Sequence, residues 1–198
     1  MSGLLTTTPP ATEPVTLAEA KAWLRVEGTE EDALIGALIT AARQHIEGFT
    51  RRALVTTGYT LKLDAFPYDA RNQSREIVLP RPPLASLTSI EYLDTNGALQ
   101  TLNPTTYVVD TYAQPAKVFC RTETAWPATY TVPNAITLVY TAGYGTPAAI
   151  PTGLLIALRY IVAHWYELRT PVNVGNIVNE IPLTAQTLMW QERILDFN

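Results

Sequence analysis

The spacing of apolar residues changes twice along this chain, and this change limits what the chain can fold into. Near the N-terminus, apolar residues recur every three or four positions, as on one face of an α-helix. Between residues 53 and 149 they tend to alternate with polar ones, which is typical of β-strands. Helical spacing returns after Pro151. Both helical ends must bury their apolar stripes, and the simplest arrangement packs them against each other.

The N-terminal stretch PVTLAEAKAWLRV begins with a helix-capping signal. Thr16 and Glu19 have the spacing of a capping box, in which each side chain accepts a hydrogen bond from the other residue's backbone N–H. Thr29 and Asp32 repeat this spacing before DALIGALITAARQHIEGFT, whose apolar residues form one stripe. The sequence therefore predicts two helices, near residues 16–26 and 29–50.

The central region predicts an antiparallel β structure. VTTGYTLKLDAF alternates apolar and polar residues, and SLTSIEYL and ALQTL flank DTNG, the outline of a hairpin with an Asn-Gly turn. The prolines of REIVLPRPPL are expected to stop any strand ladder and to favour extended geometry. Further strand candidates are TYVVD, AKVFC and AITLVYT.

The C-terminal region predicts one long and one short helix. The long one starts near Pro151 and ends at Thr170 and Pro171, and VNVGNIVNE is typical of a connector. The short one starts at Pro182. The seam of the long helix is formed by Leu154, Leu158, Ile161, Trp165 and Leu168.

These patterns together predict an α+β fold. Residues 14–52 and 150–198 are expected to form a helical-bundle core, which ends in a C-terminal attachment segment. Residues 53–149 are expected to form an antiparallel β insertion domain.

Composition excludes several classes of protein. The net charge is −4, with 14 basic and 18 acidic side chains, and no stripe of Lys and Arg suggests tight binding to phosphates. A single cysteine, Cys120, allows no intrachain disulfide. MSGLLTTTPPATEP has no signal-peptide pattern, and the longest apolar stretch, 154–165, is too short to span a bilayer. No membrane partner is expected.

The stretch IVAHWYELRTPV contains the strongest candidates for chemistry. His164 and Glu167 are three residues apart on one predicted helix, and with His45 and Glu47 they would form a four-residue metal site if the two helices pack. Alternatively, Trp165 lies in the buried seam while His164, Glu167 and Arg169 lie on flanking or solvated faces. Nucleophile-elbow, P-loop, dinucleotide-binding and Cys-x-x-Cys motifs are absent from the sequence. We expect no cofactor, no metal and no catalytic residue.

The N-terminal stretch VTLAEAKAWLRVEGTEEDALIGALITAARQHIEGFTRRAL resembles the helical pair of tailed-phage head–tail connector (adaptor) proteins, of the gp6-like or phiE125 gp8-like type. VYTAGYG, AHWYELR and IPLTAQTLMWQERI resemble the C-terminal part of that family, so the resemblance covers residues 14–56 and 137–195. Gene transfer agents, which are phage-like particles, carry the same component. The residues of the N-terminal resemblance are Leu17, Lys21, Leu24, Arg25, Asp32, Ala41, Ala42, Arg43, Ile46 and Glu47.

The resemblance implies a structural role in the particle neck. Such a protein forms a ring, usually dodecameric, beneath the portal protein, extends the DNA channel and receives the stopper or tail-completion protein. DNA passes through the lumen without sequence-specific binding. The location would be the virion, after assembly in the bacterial host cytoplasm, and the His-Trp-Tyr-Glu-x-Arg stretch would be structural. The alternatives are another neck component, such as a stopper or tail-completion protein, or a metal-dependent enzyme using His164 and Glu167.

The resemblance also implies that the C-terminal segment reaches toward the portal. Its apolar residues are costly to leave in water, so they either fold back onto the helical core or dock on a partner. We expect docking, with Trp190 as the anchor, because aromatic residues dominate interface hot spots. The predicted portal contacts are Leu188, Met189, Trp190, Arg193 and Ile194.

Overall fold

A computed structural model describes residues 2–67, 76–121, 125–168 and 181–195. The chain forms two compact units, each made of two chain segments. The β unit comprises Met1–Ala11 and Thr56–Tyr144, and the helical unit comprises Thr12–Val55 and Gly145–Asn198. No helix in the described part of the chain is long and apolar enough to cross a membrane.

The helical unit brings together helices from the two ends of the sequence. These helices are α1 (Leu17–Leu24), α2 (Asp32–Thr50), α3 (Thr152–Glu167) and α4 (Leu183–Gln191). Helix α2 packs against α3 and α4, α3 packs against α4, and α1 contacts both α2 and α3. The fully buried residues at these contacts include Ile35, Ile46, Leu154, Leu158 and Ile161.

The starts of α1 and α2 differ in their capping. At α1, Thr16 and Glu19 form the predicted capping box. Helix α2 instead begins at Asp32, and its preceding residue, Glu31, makes no side-chain cap. The second predicted capping box is therefore wrong, because the Asp32 carboxylate accepts a 2.6 Å hydrogen bond from Lys21 Nζ of α1. The same ammonium group donates to the Gly28 carbonyl, so Lys21 fixes the turn between the two helices.

The described residues of the β unit form a five-stranded and a three-stranded sheet, in which every strand pair is antiparallel. The strand orders are β1-β2-β8-β4-β5 and β3-β7-β6. In chain order the strands are β1 (Ser2–Thr8), β2 (Thr57–Leu63), β3 (Glu76–Val78), β4 (Leu84–Leu93), β5 (Leu99–Thr101), β6 (Tyr107–Asp110), β7 (Lys117–Cys120) and β8 (Ile136–Ala142). The predicted α+β fold, a helical bundle with an antiparallel β region, is confirmed.

Strand β1 was not predicted from the sequence. It pairs with β2, which therefore lies between two neighbouring strands, and the first five residues of β2 are buried. The segment SGLLTTT has no clear apolar alternation, because most of its residues remain exposed at the sheet edge. Periodicity therefore gave no signal for it.

The predicted hairpin joins β4 to β5 through DTNG. The Asp94 carboxylate accepts hydrogen bonds from the backbone N–H groups of Asn96 and Ala98, at 2.9 and 3.0 Å. Gly97 has a φ of 81°, a conformation that costs glycine little. The turn chemistry thus fixes the register of the two strands.

Strand β8 lies at the centre of the larger sheet and alternates strictly between its two faces. Ile136, Leu138 and Tyr140 are fully buried on one face, while Thr137 and Val139 are half-buried on the other. The Tyr140 hydroxyl donates a 2.9 Å hydrogen bond to the Pro80 carbonyl, and burial raises the pKa of this phenol. The larger sheet therefore has one core face and one outer face.

Candidate functional site

Helix α4 is attached to the helical unit by one of its faces. Ala185 and Met189 are four residues apart, and both are buried, Met189 to 1% exposure. A Leu188 methyl group lies 3.6 Å from the position that a Cβ atom on Gly153 would occupy, so α3 and α4 approach closely there. The inner face of α4 is thus part of the core.

The residues after α4 are fastened to the end of α2. The Ile194 N–H donates a 3.0 Å hydrogen bond to the Thr50 carbonyl. Arg52 donates from Nε to the Glu192 carbonyl at 2.6 Å, and its Nη2 lies 3.6 Å from the Glu192 carboxylate. In the subunit the C-terminal segment therefore folds back onto the helical core.

This arrangement corrects one predicted portal contact. Met189 is buried within its own subunit, because it supplies the inner face of α4, so it presents no surface to a partner. Leu188, Arg193 and Ile194 are half-buried, and Trp190 is exposed. The portal-contact role of these four residues stays a prediction.

The opposite face of α4 is exposed and carries two large apolar side chains. Leu183 and Trp190 are seven residues apart and therefore share one helix face, with exposures of 77% and 53%. Thr187 lies between them and is also exposed, as is Leu195 just beyond the helix. We refer to Leu183, Thr187, Trp190 and Leu195 as the α4 outer surface.

The Trp190 side chain is held in place although half of it is exposed. Its ring meets the Phe49 ring edge-on, with the centroids 5.3 Å apart. The Arg193 guanidinium lies 4.7 Å from the Trp190 centroid and 4.9 Å from that of Phe49. Arg193 Nε is buried and has no hydrogen-bond partner among the described residues. The contacts that the structure shows for this guanidinium are those with the two rings. Phe49 was not predicted as part of this cluster, because it lies on α2, 141 positions before Trp190 in the sequence.

The four-residue cluster of histidines and glutamates, which the sequence allowed as an alternative, is not assembled among the described residues. His45 packs edge-on against Trp165, with centroids 6.0 Å apart, and burial lowers the pKa of His45. Glu47 accepts hydrogen bonds from Arg43 and from the backbone N–H of Leu54, at 2.8 and 2.9 Å. Across the described ranges, no group of three or more His, Cys, Asp or Glu side chains is placed to hold a metal ion.

The side chains around the end of α3 fit the alternative in which this stretch is structural. His164 is half-buried in the last turn, and Glu167 is exposed. Trp165 is half-buried beside His45 rather than fully buried. The Tyr166 hydroxyl donates to the Glu31 carboxylate at the start of α2. Arg169 lies outside the described residues.

A buried charge network was missed by the sequence analysis. Arg43 is 6% exposed, and it donates through Nε and Nη2 to Glu13 at 2.7 and 3.3 Å, and through Nη1 to Glu47 at 2.8 Å. Burial lowers the pKa of Arg43, but the hydrogen bonds with Glu13 and the charge of Glu47 outweigh this and raise it. The network ties the segment before α1 to the middle of α2. Only the i, i+4 spacing of Arg43 and Glu47 could have indicated it.

A comparison with protein families finds a match in the N-terminal part of the chain. Residues 14–80 match the family described as phage gp6-like head-tail connector protein. The match contains α1, α2, β2 and β3, so it extends beyond residue 56, where the resemblance seen in the sequence stopped. No curated protein matches the chain significantly.

Solved structures with the same fold come from gene transfer agent (GTA) particles. One chain from the neck of an empty GTA particle, computed with C6 symmetry, has a TM-score of 0.76. Another, from the neck of a native particle computed with C12 symmetry, has a TM-score of 0.73, and both comparisons cover 100% of this chain and 97% of the other. A chain from the virion of a native particle has a TM-score of 0.77, with 98% and 97% coverage. Sequence identity is 23% in all three. The resemblance to gp6-like head-tail connector proteins is therefore confirmed, by the family match over residues 14–80, and the whole chain has the fold of chains from GTA particles.

Proposed function

We propose that this protein is a head–tail connector (adaptor) subunit of a phage or a gene transfer agent particle. It forms a ring beneath the portal protein, extends the DNA channel and joins the capsid to the stopper or tail. The observation that carries this proposal is the family match over residues 14–80. The shared fold with chains from particle necks computed with C6 and C12 symmetry supports a ring of several copies.

The same proposal assigns the chain no catalytic role. Two of the four side chains considered for a metal site have structural partners: Glu47 is bound to Arg43, and His45 packs on Trp165. DNA would pass through the lumen without sequence-specific contacts. A net charge of −4 supports this, since few basic groups are available to retain the phosphate backbone.

We further propose that the α4 outer surface binds the portal protein. The inner face of α4 is buried and the residues after it are fastened to α2, so the outer surface has a fixed position on the subunit. Exposed apolar groups on a fixed helix are costly in water and gain free energy when a partner covers them. Trp190 is the expected anchor because Phe49 and Arg193 already hold its ring, which lowers the entropy lost on binding.

Binding to purified portal rings tests both parts of the proposal. The unmodified chain should bind portal rings, and Trp190→Ala should weaken binding by roughly 30-fold, since a hot-spot residue contributes about 2 kcal/mol or more. Tyr112→Ala is the matched control: Tyr112 is 97% exposed and lies in the β unit, so its loss should leave binding unchanged. Affinity can be measured by biolayer interferometry on immobilised portal.

The two possible failures are distinguishable. If the unmodified chain does not bind portal rings, the connector function is wrong. If it binds and Trp190→Ala binds equally well, the function stands and the α4 outer surface is not the attachment site.

A further inference from the structure

The two edges of the five-stranded sheet carry no charge. The edge strands are β1, with sequence SGLLTTT, and β5, with sequence LQT. By contrast, the edge strands of the three-stranded sheet contain Glu76 and Asp110. Charged residues and prolines on an edge strand discourage pairing with another chain, and β1 and β5 have neither. Their sequences therefore permit pairing across the edge.

Both edges are also open among the residues that the structure describes. All three residues of β5 are exposed, and β1 is exposed at most of its positions. The largest apolar side chains left in solvent there are Leu5 on β1 and Leu99 on β5, with exposures of 58% and 65%. Each edge thus combines unpaired backbone groups with one uncovered leucine.

The two leucines lie on the same face of the sheet. Residues that are direct partners across a ladder share a face, as do residues two or four apart within one strand. Across successive strands, Leu5 pairs with Thr60, Thr60 with Val139, and Val139 with Ser89. Ser89 is four residues from Leu93 in β4, and Leu93 pairs with Leu99. Leu5 and Leu99 therefore both lie on the outer face, on which Val139 is half-buried.

The directions of the strands match as well. Four successive antiparallel pairings separate β1 from β5, so these two strands run in the same direction. A ring joins two different surfaces of each copy, head to tail. Opposite edges of one sheet are two such surfaces, and joining them in a head-to-tail order gives a parallel pair.

We propose that β1 of one copy pairs in parallel with β5 of the next copy, so that the five-stranded sheets of adjacent copies join across the subunit boundary. Leu5 of one copy then covers Leu99 of its neighbour on the outer face. This inference rests on the proposed ring, and it specifies which surfaces form it.

Directed disulfide cross-linking tests the junction. Leu5→Cys and Leu99→Cys are combined in a Cys120→Ser background, and assembled rings are oxidised mildly. Paired residues on neighbouring strands have Cβ atoms about 4.5–5.5 Å apart, close to what a disulfide needs. Non-reducing gels should show a ladder that reaches the full ring. Because the register is not fixed in advance, Gly3→Cys with Leu99→Cys is tested too, and an added side chain at Gly3 meets nothing within 4 Å.

The controls separate this inference from its rivals. Leu5→Cys with Tyr112→Cys should give no ladder, since Tyr112 lies in the segment between β6 and β7. Leu5→Cys alone should stay monomeric on the gel, and efficient dimers would show β1 pairing with β1 and overturn the proposal. Leu5→Lys needs no engineered cysteine, and it should raise the concentration for half-maximal ring formation at least tenfold. Unchanged assembly of this variant would also overturn the proposal.

The ring itself is checked first, by native mass spectrometry of the unmodified chain, alone and with portal. Absence of rings in both would contradict the proposed function, and this inference with it. Rings that form normally but give no ladder with either cysteine pair would contradict the β1–β5 junction alone.

Discussion

Replacing Met189 by alanine should destabilise the helical unit far more than replacing its exposed neighbour Trp190. Met189 is 1% exposed and, with Ala185, forms the inner face of α4. Truncating a buried methionine removes its transfer free energy and leaves a cavity, at a cost of about 2–5 kcal/mol. We expect about 3 kcal/mol for Met189→Ala, because few other α4 side chains are fully buried.

The cost of Trp190→Ala should be smaller, although tryptophan is the larger side chain. Half of its ring is already in solvent, so the transfer contribution is reduced. Its edge-on contact with Phe49 contributes about 0.5–1.5 kcal/mol. The Arg193 guanidinium adds about 0.5–1 kcal/mol. The loss should therefore be about 1–2 kcal/mol.

Urea unfolding followed by far-UV circular dichroism measures both effects without relying on tryptophan fluorescence. Each variant's free energy of unfolding is compared with that of the unmodified chain at equal m-value. Leu183→Ala is the control on the same helix: its side chain is mostly exposed, so the change should lie within about 0.5 kcal/mol.

One result would refute the reasoning. If Met189→Ala costs less than about 0.5 kcal/mol, α4 is not packed on α2 and α3 in the isolated subunit. The C-terminal segment would then order only on a partner, as the docking alternative requires.

Two further predictions concern the N-terminal half of the helical unit. Arg43→Met should lower the free energy of unfolding in urea by about 3 kcal/mol, because Glu13 and Glu47 lose their common partner. Arg43→Lys should restore only part of this loss. An Arg43→Met variant as stable as the unmodified chain would contradict the network. Glu19→Gln should destabilise the unit by about 0.3–1 kcal/mol at pH 7 and by much less at pH 3. Hydrogen bonds from the Thr16 backbone N–H and hydroxyl lower the pKa of Glu19, so its contribution exists above the ordinary value of 4.5 and is lost as pH falls. An equal loss of stability at both pH values would exclude the ionised Glu19 carboxylate as the source of this contribution.

Among the described residues, periodicity located the helices and most of the strands, because each buries a repeating set of side chains. Helix capping was predicted less reliably. Thr16 and Glu19 pair as expected, whereas the Asp32 carboxylate binds Lys21, a tertiary contact that residue spacing does not indicate. Strand β1 was not predicted because an edge strand with few buried residues has no strong alternation of apolar and polar residues.

The position of the last helix was predicted correctly, but the direction of its side chains was not. A hydrophobic residue on an amphipathic helix can face its own core or a partner, and sequence does not distinguish Met189 from Trp190 in this respect. The hydrogen bonds from Arg52 to Glu192 and from Ile194 to Thr50 hold this segment on the helical unit. Both join residues more than 130 positions apart, so sequence patterns do not show them.

The interleaving of the two units along the chain has a consequence for synthesis. The polypeptide passes from the β unit to the helical unit, back to the β unit and again to the helical unit. Strand β1 leaves the ribosome before its partner β2, which begins at Thr57, and α2 leaves it before α3, which begins at Thr152. Contacts between residues so distant in sequence form slowly. Neither unit can therefore be completed until its later segment has been made, and the part of the α2 stripe that packs on α3 stays uncovered until then. Each of the two cores is therefore closed by a segment that is synthesised later than the segment that begins it.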